Sequence, residues 1–210
     1  MVDAKWQLGI ALGGILLLSV FLWNIERFFP NPQSEIREQE AQVNIPTDAT
    51  RGKYPGAPHT LVEFTDFQCP YCRAAIPVLT ELESLYGDNL NIIVLHFPVG
   101  ELHPDAPKAA EAAECARIQG KFWEYHNLLF QNQEDLSVPA LLQYAQILGL
   151  DETSFNSCLT SGERYSQVEA DVRLALSLGV QGTPTFFADG HKIEGLQPSS
   201  SFIPPFGVTG

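Results

Sequence analysis

The sequence predicts an α/β domain that follows an N-terminal apolar segment and a proline-rich linker. Three features indicate this arrangement: an uncharged run at Leu8–Ile25, a β-branched and aromatic segment at Thr60–Phe67 that leads directly into a helical pattern, and two short strand patterns after Pro184. The chain has 210 residues, of which 45% are hydrophobic. This length suits one domain, and this apolar content is too high for a disordered chain.

The charge of the chain excludes one class of function. There are 25 acidic and 12 basic side chains, a formal net charge of -13, and almost all of the acidic excess lies after residue 60. A nucleic-acid-binding domain needs a basic surface, so we expect no nucleic-acid partner. The 4 cysteines are too few for a small disulfide-stapled scaffold.

The uncharged run Leu8–Ile25 has the length of a short transmembrane helix, and Trp6 and Trp23 flank it as aromatic residues do at membrane interfaces. The sequence after it, FLWNIERFFP, contains no small-x-small cleavage site. We therefore expect residues 1–27 to be an uncleaved membrane anchor whose N-terminus, with Lys5 as its one positive charge before the run, is cytoplasmic. A cleaved signal peptide and a buried core helix are the alternatives.

The segment after the anchor has the composition of a linker. Residues 28–57 contain several prolines and the polar stretch SEIREQEAQ. Proline and polar residues favour an extended chain without a packed core, so this segment is predicted to be a tether. One short strand is expected within it, near Val43–Thr47.

The pair Cys69 and Cys72 lies where the strand pattern Thr60–Phe67 ends and the helical pattern RAAIPVLTELESLYG begins. Two intervening residues allow the sulfurs to meet across one helical turn, and Pro70 suits the first helical position because it lacks an N–H. Cys69 is then at the helix N-terminus, where free N–H groups stabilise an anion such as the reactive thiolate. Cys72 lies one turn inside and is expected to be more buried.

A zinc site is a weaker hypothesis for this pair than a redox-active dithiol. Zinc would need two further ligands at matching spacing, but there is no second Cys-x-x-Cys pair and the 5 histidines are scattered. We therefore expect no metal and no other cofactor. An inert chance pair is also possible, and the position between a strand and a helix favours a redox-active dithiol over it.

The segment EFTDFQCPYC resembles the active site of the DsbA-like thiol-disulfide oxidoreductases of the thioredoxin superfamily, and is most similar to their membrane-anchored, BdbD-like branch. The segment GTPTFF at residues 182–187 extends the resemblance. It implies that the Thr183–Pro184 peptide bond is cis and faces the dithiol, and that Thr183 and Pro184 bind an extended substrate peptide by strand addition. An ordinary trans proline at the start of a strand is the alternative.

The motif CPYC also occurs in glutaredoxins, but the distance between Cys69 and Pro184 is too long for that compact fold. The additional residues between Cys69 and Pro184 contain helical patterns, at Asp105–Ile118, Gly120–Gln131, Pro139–Leu148 and Glu163–Leu178. The resemblance therefore implies a thioredoxin fold interrupted by a helical insertion. The expected bounds are 58–98 and 179–197 for the thioredoxin-fold domain and 99–178 for the insertion.

The resemblance also assigns a role to Glu63, six positions before Cys69. In the family, a glutamate at this position lies beneath the active-site disulfide, so Glu63 would exchange a proton with Cys72. A glutamate at a strand edge that faces solvent is the alternative. The dipeptide Pro70-Tyr71 between the cysteines is expected to tune how the two thiols share charge.

The remaining cysteines, Cys115 and Cys158, both lie in the helical region. An even number of cysteines outside the cytoplasm favours pairing, so we expect a structural disulfide between them. Two free buried thiols and a second redox pair are the alternatives.

The end of the chain departs from the family pattern. Asp189-Gly190 predicts a tight hairpin, after which a closing helix should follow. The sequence LQPSSSFIPPFGVTG instead contains Pro204 and Pro205, which oppose a helix. We expect the closing helix to be missing or degenerate and residues 198–210 to form an irregular tail.

These features together predict an extracytoplasmic enzyme, in the periplasm or at the cell exterior, that oxidises cysteine pairs of exported proteins through Cys69 and Cys72. The resemblance implies a quinone-linked membrane partner that reoxidises the pair. A disulfide reductase or isomerase would use the same site. A non-catalytic, membrane-tethered binding module is the alternative from a different class.

Overall fold

The computed structural model of the chain describes residues 51–206. The predicted membrane anchor at 1–27, most of the tether and the short strand near Val43–Thr47 lie outside the described residues. Between residues 51 and 206, no helix is both long and apolar enough to cross a bilayer.

The described chain folds into four strands and seven α-helices, with two short 3-10 turns. In chain order these elements are β1 His59–Thr65, α1 Pro70–Tyr86, a 3-10 turn Gly87–Asn89, β2 Leu90–His96, α2 Ala106–Ile118, α3 Phe122–Gln131, α4 Val138–Ile147, α5 Glu152–Ser161, α6 Tyr165–Ser177, β3 Thr185–Ala188, β4 His191–Glu194, a 3-10 turn Ser199–Ser201 and α7 Ile203–Phe206.

The four strands form one mixed sheet in the order β2-β1-β3-β4. β1 is parallel to β2, while β3 pairs antiparallel with β1 and with β4. The helix α1 makes the crossover that a parallel pair requires. β1 is central and covered on both faces, and among its buried residues 61–64 every residue is apolar except Glu63.

Alternate residues of β1 face two separate cores. Leu61 packs with Phe186, with α1 and with the end of the chain, whereas Val62 and Phe64 pack on the other face with α6. The last helix of the predicted insertion therefore covers the sheet. The helices α2 to α5 form a third core around Tyr125, which also includes the two active-site cysteines. The predicted α/β fold is confirmed, and its sheet is mixed, with helices on its faces.

The helix α5 has no counterpart in the helical patterns predicted from the sequence. Only Phe155, Cys158 and Leu159 of its ten residues are buried, which is too few to give a clear apolar period. Its ends do have sequence signals. The Asp151 side chain accepts a hydrogen bond from Ser154 N at 2.7 Å, and Gly162 adopts a left-handed conformation at the C-terminus.

The fold begins earlier than the predicted boundary between tether and domain at residue 58. Arg51 is buried, Gly52 forms an antiparallel bridge to Ile93, and Lys53 N donates to the Ile92 carbonyl at 3.1 Å. A side chain at position 52 would collide with Asn91. These contacts add a short edge beside β2, so residues 51–53 belong to the domain.

The C-terminal tail is more ordered than the sequence indicated. A 3-10 turn at Ser199–Ser201 and the one-turn helix α7 stand where an irregular tail was expected. Phe202 is fully buried with its ring centroid 5.2 Å from that of Phe186, and Phe206 is 5% exposed. These two phenylalanines cover the α1 face of the sheet, so a degenerate helix still closes the core.

Candidate active site

The two cysteines of the dithiol lie at the start of α1, directly after β1 and its following turn. Cys69 is the N-cap residue, with φ -73° and ψ 120°, and Pro70 occupies the first helical turn. Both thiols are free, Cys69 with 5% of its surface exposed and Cys72 with none. Tyr71, between them, is 63% exposed and lines the approach to the pair.

The electrostatic environments of the two thiols differ strongly. Hydrogen bonding from the Cys72 thiol, with further contributions from Thr183 and from the backbone N–H groups of Cys72 and Tyr71, outweighs burial and lowers the pKa of Cys69 to about 5. Burial and the neighbouring Cys69 raise the pKa of Cys72 well above its ordinary value. The reduced site therefore holds one thiolate, on Cys69, at neutral pH.

The segment before β3 faces this thiolate. The Thr183–Pro184 peptide bond is cis, and the Cys69 Sγ lies 3.4 Å from the Thr183 carbonyl oxygen across 114 residues of sequence. Pro184 is buried, while Thr183 is partly exposed beside Cys69. The structure thus brings together the two motifs that carried the resemblance. Their role in binding a substrate peptide stays a prediction.

Glu63 is fully buried on the α1 face of the sheet, so the alternative of a solvent-facing glutamate does not hold. Neither of its carboxylate oxygens has a hydrogen-bond partner. Burial, as the largest cause, raises the pKa of Glu63 to about 7, and a charge on Glu63 in turn raises the pKa of Cys72. A carboxyl group with such a pKa can exchange protons near neutrality. Its catalytic use stays a prediction.

The turn before the dithiol is fixed by polar side chains that no sequence motif marks. Asp66 Oδ1 accepts from Gln68 N at 2.7 Å, and Asp66 Oδ2 accepts from Val99 N at 2.8 Å and lies 2.8 Å from His103 Nδ1. Gln68 Oε1 accepts from the backbone N–H groups that begin α2. These bonds attach the active-site turn to the start of the helical insertion.

Gln133 holds the same turn from the other side of the insertion. Its Nε2 donates to the carbonyl oxygens of Phe67, at 2.8 Å, and Cys69, at 2.9 Å. The sequence around it, NQED between two helices, has the composition of an ordinary turn and carries no functional signal. Only the three-dimensional fold brings this side chain to Cys69.

A buried ionic network lies beside β2. Arg51 contacts Asp171 through two bonds of 2.7 Å and Glu114 at 3.0 Å, and His96 Nε2 lies 2.8 Å from Glu114 Oε1. Arg117 Nε also donates to Glu114, at 3.0 Å. These charges are paired and hydrogen-bonded, as buried charges must be. The network attaches Arg51, at the start of the domain, to the helices α2 and α6.

The second cysteine pair lies within the helical insertion. Cys115 of α2 and Cys158 of α5 form a disulfide with a sequence separation of 43. The predicted pairing is therefore present, and both residues are buried in the core of the insertion. A structural role for this bridge stays a prediction.

Comparisons with known proteins agree with this geometry. A family model described as Thioredoxin matches residues 44–202. The chain is 41% identical over 154 residues to "Na(+)/H(+) antiporter NhaA 3" of Salinispora tropica, covering 72% of this chain and 24% of that protein. It is 33% identical over 202 residues to "Na(+)/H(+) antiporter NhaA 1" of Mycolicibacterium vanbaalenii, covering 94% of this chain and 32% of that protein. The chain thus spans a quarter to a third of these curated relatives.

Solved structures with the same fold include a thioredoxin-like oxidoreductase and BdbD. A thioredoxin-like oxidoreductase from Silicibacter pomeroyi superposes with a TM-score of 0.66 at 28% identity, covering 73% of this chain and 87% of that one. Oxidised BdbD from Bacillus subtilis superposes with a TM-score of 0.61 at 23% identity, covering 70% and 83%. The chain belongs to the thioredoxin family, the superfamily that the resemblance implied.

Proposed function

We propose that the domain oxidises cysteine pairs of exported proteins. The observation that carries this proposal is the asymmetry of the dithiol: the Cys69 thiolate is stabilised at the start of α1 and beside Thr183, while the Cys72 thiol is not. Stabilising the reduced form in this way makes the corresponding disulfide a stronger oxidant.

The first step begins with the Cys69–Cys72 disulfide in the oxidised domain. A substrate thiolate attacks the Cys69 sulfur, a new sulfur–sulfur bond forms between substrate and Cys69, and the bond to Cys72 breaks. The electron pair of the broken bond leaves on Cys72 as a thiolate. Because the pKa of Cys72 is high, this thiolate takes up a proton, and the buried carboxyl group of Glu63 supplies it.

The second step releases the product. A second thiolate of the substrate attacks the substrate sulfur of the mixed disulfide, so that the substrate disulfide forms and Cys69 leaves as a thiolate. Its low pKa makes Cys69 a good leaving group, which speeds this step. The substrate has lost two electrons, and the domain now holds a reduced dithiol.

The substrate docks along the exposed backbone next to the cis-proline. Thr183 lies beside the Cys69 sulfur, and Pro184 leads into β3. An extended peptide that adds to this segment as a strand places its cysteine over Cys69. Main-chain hydrogen bonds carry little sequence preference, which suits an enzyme that acts on many exported proteins.

The domain works outside the cytoplasm, tethered to the membrane by residues 1–27. The apolar run Leu8–Ile25 supports this location, as does the 33% identity over 94% of the chain with a protein named as an antiporter, a class that works in membranes. A quinone-linked membrane partner accepts the two electrons and restores the disulfide.

Replacement of Cys72 separates this function from that of a passive binding module. In the Cys72→Ala variant, the domain cannot resolve the mixed disulfide on Cys69, so an exchanger accumulates disulfide-linked complexes with a peptide that carries a single thiol, under mild oxidation by glutathione disulfide. The matched control is Cys69→Ala, which leaves only the buried Cys72 and should trap none. Equal absence of complexes in both variants would contradict catalysis and support the binding module.

The direction of transfer is tested separately from the chemistry. The oxidised domain, mixed with a peptide that has two thiols, should convert the peptide to its disulfide over several turnovers when glutathione disulfide is present. A domain that instead reduces a peptide disulfide at the expense of glutathione, and leaves the dithiol peptide unchanged, is a reductase.

A further inference from the structure

Gln133 is joined to the dithiol more directly than the other polar side chains of the insertion described above. It lies between α3 and α4, is 9% exposed, and donates from a single nitrogen to the carbonyl oxygens of Phe67 and Cys69. The Cys69 carbonyl also accepts from Cys72 N at 3.1 Å and from Arg73 N at 3.3 Å. The side-chain amide of Gln133 thus binds the carbonyl oxygens of Phe67 and Cys69, the two residues that flank Gln68 in the active-site turn.

The loop that presents Gln133 is itself held in place. Asn132 N donates to the Leu128 and Leu129 carbonyls of α3, and the Tyr144 hydroxyl of α4 donates to the Asp135 carbonyl at 2.8 Å. The residues on either side of Gln133 are therefore fixed to two helices. A side chain on such a loop has a defined position, which a precise contact to a redox site requires.

The hydrogen bonds from Gln133 act on negatively polarised atoms. Carbonyl oxygens are the negative ends of their dipoles, and the Cys69 carbonyl belongs to the residue whose sulfur becomes anionic, while the Phe67 carbonyl lies two residues before it. A donor on both oxygens offsets this negative charge and keeps the carbonyls turned toward Gln133. The backbone N–H groups of Tyr71 and Cys72 face the sulfur, that of Cys72 while it also donates to the Cys69 carbonyl.

We propose that Gln133 is a positioning residue for thiol-disulfide exchange, which holds the active-site turn in the conformation that favours reduced Cys69. Through this contact, the helical insertion sets part of the redox equilibrium of the dithiol. The proposal rests on the proposed function, because it concerns the same Cys69–Cys72 pair.

A purely structural hydrogen bond and a positioning one make different predictions. A structural bond stabilises the folded domain equally whether Cys69 and Cys72 are oxidised or reduced. A bond that offsets negative charge beside Cys69 matters most when that sulfur is a thiolate, and little when it is in a neutral disulfide. Its removal therefore shifts the equilibrium between the two redox forms as well as the stability of the fold.

The test compares Gln133→Met with Gln119→Met. Gln119 also makes two hydrogen bonds to the backbone, with the carbonyl oxygen and the N–H of Asp151, but at the far end of α2. Each variant is equilibrated with glutathione, two molecules of which become one glutathione disulfide as the Cys69–Cys72 disulfide is reduced to the dithiol. The titration of Cys69 is followed by thiolate absorbance.

We expect Gln133→Met to weaken the reduction of the disulfide by glutathione about tenfold, which corresponds to about 30 mV, and to raise the pKa of Cys69. Gln119→Met should change the same equilibrium by less than about twofold. If Gln133→Met lowers thermal stability but leaves both redox readouts at the wild-type value, the proposal is overturned. If the wild type itself does not exchange with glutathione, the proposed function fails instead.

A measurement on the unmodified chain covers the case in which Gln133→Met does not fold. The side-chain amide protons of Gln133 should shift in nuclear magnetic resonance spectra as reduced Cys69 ionises, with the same midpoint, and should not shift in Cys69→Ser. Amide signals that stay constant through the Cys69 titration would overturn the proposal.

Discussion

The two cysteine pairs of this chain are both buried in the same hydrophobic core and differ in their polar neighbours. Cys69 and Cys72 lie at the start of one helix, one turn apart, beside the exposed Tyr71. Cys115 and Cys158 join two different helices and are enclosed in the core of the insertion. The first pair is adjacent to polar groups that stabilise an anion, whereas the second is already closed as a disulfide. Reactivity therefore follows from position in the fold, since the sulfurs themselves are equivalent.

The largest expected effect in this comparison is the loss of exchange on changing Cys69. In Cys69→Ser the sulfur that the substrate attacks, and that later leaves, is absent, so the rate of peptide oxidation should fall to the uncatalysed level. The double variant Cys115→Ser/Cys158→Ser, which removes the second cysteine pair, should still catalyse exchange. Peptide oxidation followed by loss of free thiols measures both. Equal loss of activity in the two variants would remove the distinction between the pairs.

The second effect is on stability, and it belongs to the insertion. Removing the bridge between Cys115 and Cys158 opens a loop with a sequence separation of 43. This should lower the free energy of unfolding by about 2–4 kcal/mol, measured by denaturant titration with Cys69 and Cys72 kept reduced. The glutathione equilibrium of the active-site pair should not change. A shift in that equilibrium would show that the second pair takes part in exchange.

A third effect tests Glu63 as the proposed proton donor to Cys72. Glu63→Gln keeps the shape of the side chain and removes its titration, so proton transfer to Cys72 should slow. We expect the stopped-flow rate of disulfide exchange to fall roughly 100-fold at neutral pH. Since no buried hydrogen bond of Glu63 is lost, the fold should survive. Unchanged rates in the variant would remove Glu63 from the mechanism.

The same residue should leave a signature in stability against pH. The pKa of Glu63 is about 7 in the folded domain and near 4.5 when exposed, so the folded state binds the proton more tightly. Its stabilising contribution is complete below about pH 4.5 and is lost as pH rises through 7, by about 3 kcal/mol in total. Glu63→Gln should abolish this loss between about pH 4.5 and pH 7. Parallel stability curves for the two proteins would contradict the burial of an ionisable Glu63.

The smallest effect concerns the pH at which Cys69 reacts. Because its pKa is lowered to about 5, the reduced domain should be alkylated by iodoacetamide at a nearly constant rate from about pH 6 to pH 8. Below about pH 5 the rate should fall as the thiolate takes up a proton. Cys72 should remain unmodified over this range. A midpoint near that of an ordinary thiol would show that the Cys72 thiol, Thr183 and the N–H groups at the start of α1 do not stabilise the anion.

Local motifs made the centre of the site predictable from the sequence. The spacing of Cys69 and Cys72 at a strand-to-helix junction, and the segment around Pro184, are each contained in a few residues. The position of each motif in its secondary structure follows from the residues of that motif and its immediate neighbours. The strands and most helices were predictable for the same reason, since their apolar periods are local.

The supporting residues were not predictable, because their roles depend on long-range contacts. Gln133 meets Cys69 across 64 positions, and Arg51 meets Asp171 across 120. Neither side chain stands in a pattern that distinguishes it from a surface residue. The ordered tail was missed for a similar reason, since Phe202 and Phe206 find their partners only once α1 and the sheet have formed.

The central claim is that stabilisation of the Cys69 thiolate makes this dithiol an oxidant. Its most direct test is the reduction potential of the Cys69–Cys72 pair, measured by equilibration of the domain with defined ratios of glutathione to glutathione disulfide. We expect a potential more oxidising than about -180 mV, on the side of disulfide-forming members of the superfamily. A potential near about -270 mV, that of a reducing thioredoxin, would contradict the claim.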